Sequence, residues 1–335
     1  MTESKSAAPY GAIGTWLLVC CAMVFAMVLV GGITRLTESG LSIVHWRPFT
    51  GWIPPMTDKE WAALFDAYRS SPEFRQLNFW MTIVDFKQIF WLEFAHRLLG
   101  RLVGVVYAVP FLWFVIRYRL PRALTVRLTF FLLLGGAQGV LGWYMVKSGL
   151  VNRPSVSQYR LAAHLLLAVL IYGLMLYTAL GLKGFDRQAS PRVRRPSALV
   201  VAMVFTTMMW GALLAGIDGG AVFNTFPLMD GHVIPPDILV IQPWWLNAFD
   251  NVALVQWLHR VLAMSTVTVA LVVWLRYRHY APSGVLGVMA LAALLQLGLG
   301  ITTILTGAEI YVAWAHQCGA LLLFTSAVWA WREAT

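Results

Sequence analysis

Residues 93–106 read EFAHRLLGRLVGVV: a carboxylate, a histidine and two arginines at the mouth of a run that is otherwise apolar. Three further stretches repeat the arrangement in outline: YRLAAHLLLAVL at 159–170, VQWLHRVLAMSTV at 255–267 and YVAWAHQCGALLL at 311–323. His96, His164, His259 and His316 each stand within a turn or two of the point where a polar loop gives way to an apolar segment. A helix needs about 20 apolar residues to cross the hydrocarbon core, and these segments have that length. Polar side chains at such depths are uncommon and usually functional, and neutral imidazole is the commonest metal ligand. Two histidines in each half of the chain read as two paired metal or haem sites.

Composition sets the class. Of 335 residues, 59% are hydrophobic and 12% charged, roughly half the charge of a soluble domain. The formal charge of +10 comes with no basic stripe or nucleic-acid module, so it belongs to the cationic flanks of membrane helices and no nucleic acid is expected as partner. Eight spans are expected, near 15–33, 94–116, 124–145, 161–182, 198–217, 253–275, 284–305 and 310–331. The opening carries Lys5 like a signal-peptide n-region, yet its apolar run continues into GGITRL without a small-residue cleavage site and reads as the first span. No Arg/Ser-rich transit peptide is present, which points to a bacterial cell (inner) membrane.

Orientation follows from the short loops. Arg117, Arg119 and Arg122 follow span two; Lys183, Arg187, Arg192, Arg194 and Arg195 follow span four; Arg276 and Arg278 follow span six. The positive-inside rule puts these loops and both termini in the cytoplasm. Residues 218–252 carry Asp218, Asp230, Asp237 and Asp250 without Lys or Arg and suit the other side, while Lys147, Arg153 and Arg160 run against the trend. All four histidines then lie near the outer face. The outer loops also hold Trp46, Trp52, Trp61, Trp80, Trp91, Trp244 and Trp245, an interfacial aromatic belt or in part a lid over a planar ligand.

The chain repeats itself. FAHRLLGRLVG echoes WLHRVLAMSTV, GGAQGVLGWYMVKSG echoes LLQLGLGITTILTG, YRLAAHLLL echoes YVAWAHQCG, and GGITR after span one has a counterpart in AGIDG after span five. The expected fold is an all-α integral membrane protein of eight transmembrane helices, built as two four-helix bundles related by a pseudo-twofold axis along the membrane normal. Residues 1–14 form a cytoplasmic N-terminus, 15–182 the first half, 183–197 a cytoplasmic linker and 198–331 the second half. Gly135, Gly136, Gly139 and Gly142, with Gly298 and Gly300, allow close helix packing or leave room for a flat ligand.

A pair of histidines across a bundle is how haem is held between facing helices. Zinc wants four N/S ligands, or three and water. Cys20, Cys21 and Cys318 lie within apolar spans with no C-x-x-C pattern and read as small core residues, leaving no outer-loop disulfide. A di-iron carboxylate centre needs two Glu-x-x-His elements, and one is present. Haem fits best. His45 and His232 lie in outer loops and His279 in a basic loop, where solvation explains them, although His45 is placed to touch a substrate.

The halves differ at one position. Glu93 stands three residues before His96, and the matching residue before His259 is Gln256. A carboxylate is costly to ionise at such a depth; it either stabilises the helix start or takes part in chemistry. With Gln at the sister site, catalysis in one half and a fixed cofactor in the other is the expectation.

On the EFAHR element at Glu93–Arg97, the three other histidines at the outer ends of spans four, six and eight, and GGITRLTESGLSI at 31–43, the chain resembles the haem A synthase family over nearly its whole length. Without cysteines in its outer loops it looks like the cysteine-free class. The resemblance implies an oxidoreductase that converts a ring methyl of haem O into the formyl group of haem A, in the service of cytochrome oxidase biogenesis. It implies that His96 and His164 ligate the substrate haem and that His259 and His316 hold a haem b cofactor. Glu93 would handle the proton, or the positive charge, that develops as the methyl is oxidised. Arg97 and Arg260 are candidates to meet haem propionates, or else snorkel to the interface. Haem O synthase, cytochrome oxidase assembly factors and membrane lipid are the partners implied.

Two alternatives stand beside this. A di-haem electron conduit of the quinol-reductase type places haems at both membrane faces, whereas all four histidines here head for one. A haem transporter built from repeats has no need of the Glu93/Gln256 difference.

Overall fold

The computed structural model describes residues 9–47, 50–150, 154–185 and 189–335. Residues 1–8 of the expected N-terminal segment, Arg153, and residues 186–188 of the expected linker, with Arg187, fall outside them. Regular structure among the described residues is helical, apart from one isolated bridge between Met229 and His232.

Among the described residues eight helices are long and apolar enough to cross a membrane. They are α1 (Tyr10–Leu36), α4 (Ile83–Arg117), α5 (Arg122–Gly149), α6 (Gln158–Leu182), α7 (Arg194–Gly216), α9 (Val252–Tyr277), α10 (Val285–Leu305) and α11 (Ile310–Glu333). The short helices α2 (Asp58–Arg69), α3 (Pro72–Gln76) and α8 (Asn247–Asp250) lie in the connections. This is the all-α, eight-span architecture expected of the sequence. Residues 19–168 make one compact unit, and residues 10–18 with 169–335 make another.

In the first unit, α4 begins well before the expected span at 94. At 35 residues it is about 50 Å long, against roughly 30 Å of hydrocarbon. The extra turns have local causes. Thr82 donates both its N–H and its hydroxyl to Asp85 Oδ2, at 2.9 and 2.7 Å, which fixes the helix start. The apolar face of the extra turns then packs against α2, where Trp61, Tyr68, Phe86, Phe90 and Phe94 form a buried aromatic cluster. A capping box starts α2: Thr57 N–H donates to Glu60 Oε2 and Glu60 N–H donates back to Thr57 Oγ1. Trp61 is therefore a core residue, 8% exposed, not a member of an interfacial belt; Trp80 at 60% and Trp244 at 66% remain available for one.

Beneath α2 and α3 lies a buried polar knot. Tyr68 donates its hydroxyl to Glu73 Oε2 at 3.0 Å and accepts from Asn78 Nδ2 at 2.8 Å. Burial pushes the Glu73 carboxyl up to about 8; the Tyr68 hydrogen bond opposes this, and the charges of Glu93 and Glu38 add to it.

In the second unit, α7, α9, α10 and α11 pack through residues such as Met289, Ala293, Leu321 and Ala327, all fully buried. Asn247, also fully buried, ties the long α7–α9 connection to itself. It accepts from Ile241 N–H at 2.9 Å and donates to the Ile241 carbonyl at 2.8 Å. Asn251 caps α9 by accepting from the N–H groups of Ala253 and Leu254.

Candidate functional site

Each of the four histidines is seated against a glycine of another helix. A β-carbon on Gly31 of α1 would lie 2.8 Å from Cε1 of His96 on α4. A β-carbon on Gly142 of α5 would lie 2.9 Å from Cε1 of His164, one on Gly211 of α7 2.9 Å from His259, and one on Gly300 of α10 2.9 Å from His316. Real side chains do not approach so closely, so glycine is what lets each ring lie flat against its neighbour. By contact Gly31 pairs with Gly211, one turn earlier than the AGIDG match in sequence implies. Gly135, Gly136, Gly139 and Gly298 do not serve close packing, since a β-carbon there would meet nothing within 4 Å among the described residues.

The rings differ in what holds them. His259 Nδ1 lies 3.1 Å from the Thr207 carbonyl, which can only accept, so in this contact Nδ1 carries the proton and Nε2 keeps its lone pair. His316 Nδ1 lies 3.0 Å from Gln296 Nε2, which also donates to the His316 carbonyl at 3.0 Å. In the first unit Gln138 Nε2 donates to the His164 carbonyl at 2.9 Å, but Nδ1 of His96 and of His164 have no hydrogen-bond partner among the described residues.

His259 and His316 face each other with ring centres 6.4 Å apart and planes at 88°. Two imidazole nitrogens that share one metal at about 2 Å put their ring centres roughly 6 Å apart. The ring separation matches that spacing. Among the described residues no group of three or more His, Cys, Asp or Glu is placed to hold an ion. A haem, which brings four nitrogens of its own, would need only two histidines from the chain.

Glu93 has helical neighbours in both His96, three residues on, and Arg97, four residues on. Glu93 is buried, and Oε2 accepts from Ser42 Oγ and from Ile43 N–H, each at 2.7 Å, while Oε1 accepts from Arg97 at 2.6 Å. Arg97 continues to the carbonyls of Ile43 at 2.7 Å and His45 at 3.2 Å. The second unit repeats this with the polarity reversed. Gln256 donates to the Phe223 carbonyl at 3.2 Å, and Arg260 donates to the carbonyls of Phe223 and Thr225, both at 2.7 Å. The Glu/Gln difference thus follows the connection each one holds: residues 42–43 present donors and Phe223 presents an acceptor. Arg97 sends two bonds to its connection and one to Glu93, Arg260 bonds only its connection, and Arg260 Nε is a buried donor without a partner among the described residues. His45 and His232 are exposed, as expected of loop histidines.

The sequence alone singles out the four histidines and the Glu93/Gln256 pair. It misses the seating glycines Gly31 and Gly211, Gln138 and Gln296, and the Thr207 carbonyl. The echo of Gln138-x-x-x-Gly142 in Gln296-x-x-x-Gly300 was the available signal.

The family model described as cytochrome oxidase assembly protein, COX15-CtaA, matches residues 14–328. The "Heme A synthase" of Nitrosospira multiformis is 45% identical over 96% of this chain and 93% of its own length. That of Rhodospirillum centenum is 46% identical over 97% and 89%, and that of Wolbachia pipientis is 37% identical over 95% and 91%. Matched over almost its whole length, the chain belongs to the COX15-CtaA family of cytochrome oxidase assembly proteins.

Proposed function

We propose that this chain is a haem A synthase, which oxidises a ring methyl of haem O to a formyl group by successive hydroxylations. The substrate would sit at His96 and His164 and a resident haem b at His259 and His316. The observation that carries this division is the difference in ring support. Both Nδ1 atoms of the second pair have a polar neighbour near 3 Å, and neither of the first pair does. The Thr207 carbonyl accepts from Nδ1 of His259, the kind of outer-shell bond that fixes tautomer and orientation, which suits a permanent cofactor. Rings without that support suit a ligand that must enter and leave at every turnover.

The net change, R–CH3 + H2O → R–CHO + 4 H+ + 4 e−, asks for an electron acceptor and a proton path; haem b, when bound, supplies one-electron transfer. Glu93, one helical turn before His96, accepts from three donors. That supports the charge-stabilising form of its role. Arg260 Nε is the donor left for a haem propionate. The protein works in a bacterial cell membrane with both termini cytoplasmic and its histidines near the outer face, where haem O synthase and oxidase assembly factors are its partners.

The test is haem analysis of cells that make haem O, with and without this protein, together with pigment extraction from the purified chain. Haem A in the first and haem b alongside haem O or haem A in the second are expected. Haem b alone in both units would favour an electron conduit, and no retained haem a transporter.

A further inference from the structure

Arg97 and Arg101 stand one turn apart on α4, and with Arg47 they line a cavity of about 290 Å³ between α4, α2 and the connection that follows α1. Its other wall is apolar and includes Leu64, Phe90 and Phe94. Neither guanidinium on α4 is a loose, snorkelling end. Arg97 is tied to the carbonyls of Ile43 and His45 and to Glu93. Arg101 donates from Nη2 to the Arg47 carbonyl at 2.8 Å, and the same carbonyl accepts from Gly51 N–H at 3.2 Å. A β-carbon on Gly51 would lie 2.5 Å from that Nη2, so glycine is what lets the connection close over this cation. Glu60 is the one acid among the described residues of the lining, and its Oε2 is engaged by the N–H groups of Met56 and Thr57 and by the Thr57 hydroxyl. Even counting Glu93, the partner of Arg97, the three arginines outnumber the carboxylates.

Residues 102–116 carry no charge, so Arg101 is the last cation before the apolar run of α4. That run is shorter than the ~20 residues that cross the hydrocarbon, which puts Arg101 at the hydrocarbon edge, where lipid phosphates are the nearest anions. Further along the same face Val105, Val109, Leu112 and Ile116 are all exposed. A fixed cation at the head of an exposed apolar stripe matches an amphipathic anion. The volume lies just under the roughly 300–1,000 Å³ of pockets that enclose a whole small ligand, and it suits a single headgroup. We propose that this cavity is a site for an acidic phospholipid, whose phosphate is bound by Arg101 and Arg47 and whose acyl chain lies along the stripe. A zwitterionic lipid brings an ammonium group of its own, which the surplus of arginine repels.

The test uses the purified full-length chain, stripped of lipid in detergent. Binding of phosphatidylglycerol and of phosphatidylcholine is measured by native mass spectrometry, and the melting temperature is followed with each lipid and with inorganic phosphate. Phosphatidylglycerol is expected to bind about tenfold more tightly than phosphatidylcholine and to raise the melting temperature; inorganic phosphate, which lacks the chain, should not raise it at the same concentration. Arg47→Gln with Arg101→Gln should weaken phosphatidylglycerol by about tenfold or more. Arg119→Gln with Arg127→Gln removes the same charge beyond the other end of α4 and at the start of α5, and should leave that binding unchanged. If the loss of Arg101 costs the fold, Arg47→Gln alone, on an exposed side chain, should still weaken binding severalfold. Equal binding of the two lipids, equal loss in both double variants, or stabilisation by inorganic phosphate equal to that by the lipid would overturn the inference. So would loss of haem O with phosphatidylglycerol binding intact in the Arg47/Arg101 variant, since that would give both arginines to the carboxylates of the substrate.

Discussion

An alanine at position 300 would place its methyl 2.9 Å from Cε1 of His316. In a free helix Gly→Ala is favourable by roughly 0.5–1 kcal/mol, so the change separates helix stability from ring seating. Gly300→Ala is expected to leave the melting temperature of the haem-free protein unchanged or slightly raised and to lower haem b content severalfold, read as the haem-to-protein ratio. Gly11→Ala, where a β-carbon meets nothing within 4 Å among the described residues, is the control and should change neither. Equal haem content in the two variants would show that the glycine is not needed for seating. Glu93 poses the same kind of question. Glutamine there keeps one acceptor but turns an NH2 group toward Ser42, Ile43 or Arg97, all of which already donate to the carboxylate. Glu93→Gln is therefore expected to loosen residues 42–47, seen as faster hydrogen exchange, and to cut haem A output by on the order of a hundredfold while both haems still bind. Ser42→Ala removes one donor and leaves the charge in place, so its effect on output should be much smaller. Normal haem A production by a folded Glu93→Gln protein would sink the role given to this carboxylate.

The elements between α1 and α4 carry a pH-dependent stability of their own. Glu73 is 4% exposed and its carboxyl is raised from the ordinary 4.5 to about 8. Between those values the folded segment keeps the proton and the unfolded one loses it, so stability is fully present below about 4.5 and falls as pH rises towards 8. Hydrogen exchange across α2 and α3 should accelerate over that window, and Glu73→Gln should flatten the dependence. A wild-type profile without slope between these values would refute a buried neutral Glu73. The eight spans were legible because membrane length and apolarity are written in consecutive residues. The start of α4 at Ile83, in place of 94, was not, because it depends on Asp85 capping from inside the helix and on Phe86 and Phe90 finding Trp61 across a loop. A belt and a core use the same aromatic residues, and only the partner tells them apart. The Gln-x-x-x-Gly pairs were visible as a repeat, but their meaning lies in the carbonyl of a histidine on the next helix.

Across the whole molecule the duplication is what the sequence declared most clearly, and the chemistry turns on where the copies depart from each other. Each unit seats two rings on two glycines and anchors a connection by a pair of residues one turn apart. The first unit differs by the Glu93 carboxylate and by Nδ1 atoms without partners among the described residues, the second by rings held at both ends of the pair. If this asymmetry separates substrate from cofactor, the two pairs will not respond alike to removal. His259→Ala with His316→Ala takes away both ligands of the supported pair, and bound haem b is expected to be lost together with turnover, while haem O still binds in the other unit. His96→Ala with His164→Ala should do the reverse, keeping haem b and losing haem O and haem A. Each double variant is purified from cells that make haem O, its pigments are extracted and separated, and a folded state is checked by thermal unfolding. Loss of haem b on removing His96 and His164, with haem b intact after removing His259 and His316, would reverse the assignment of the two units. Loss of every pigment in both folded variants would mean that the haems are held jointly, and the division by ring support would fail.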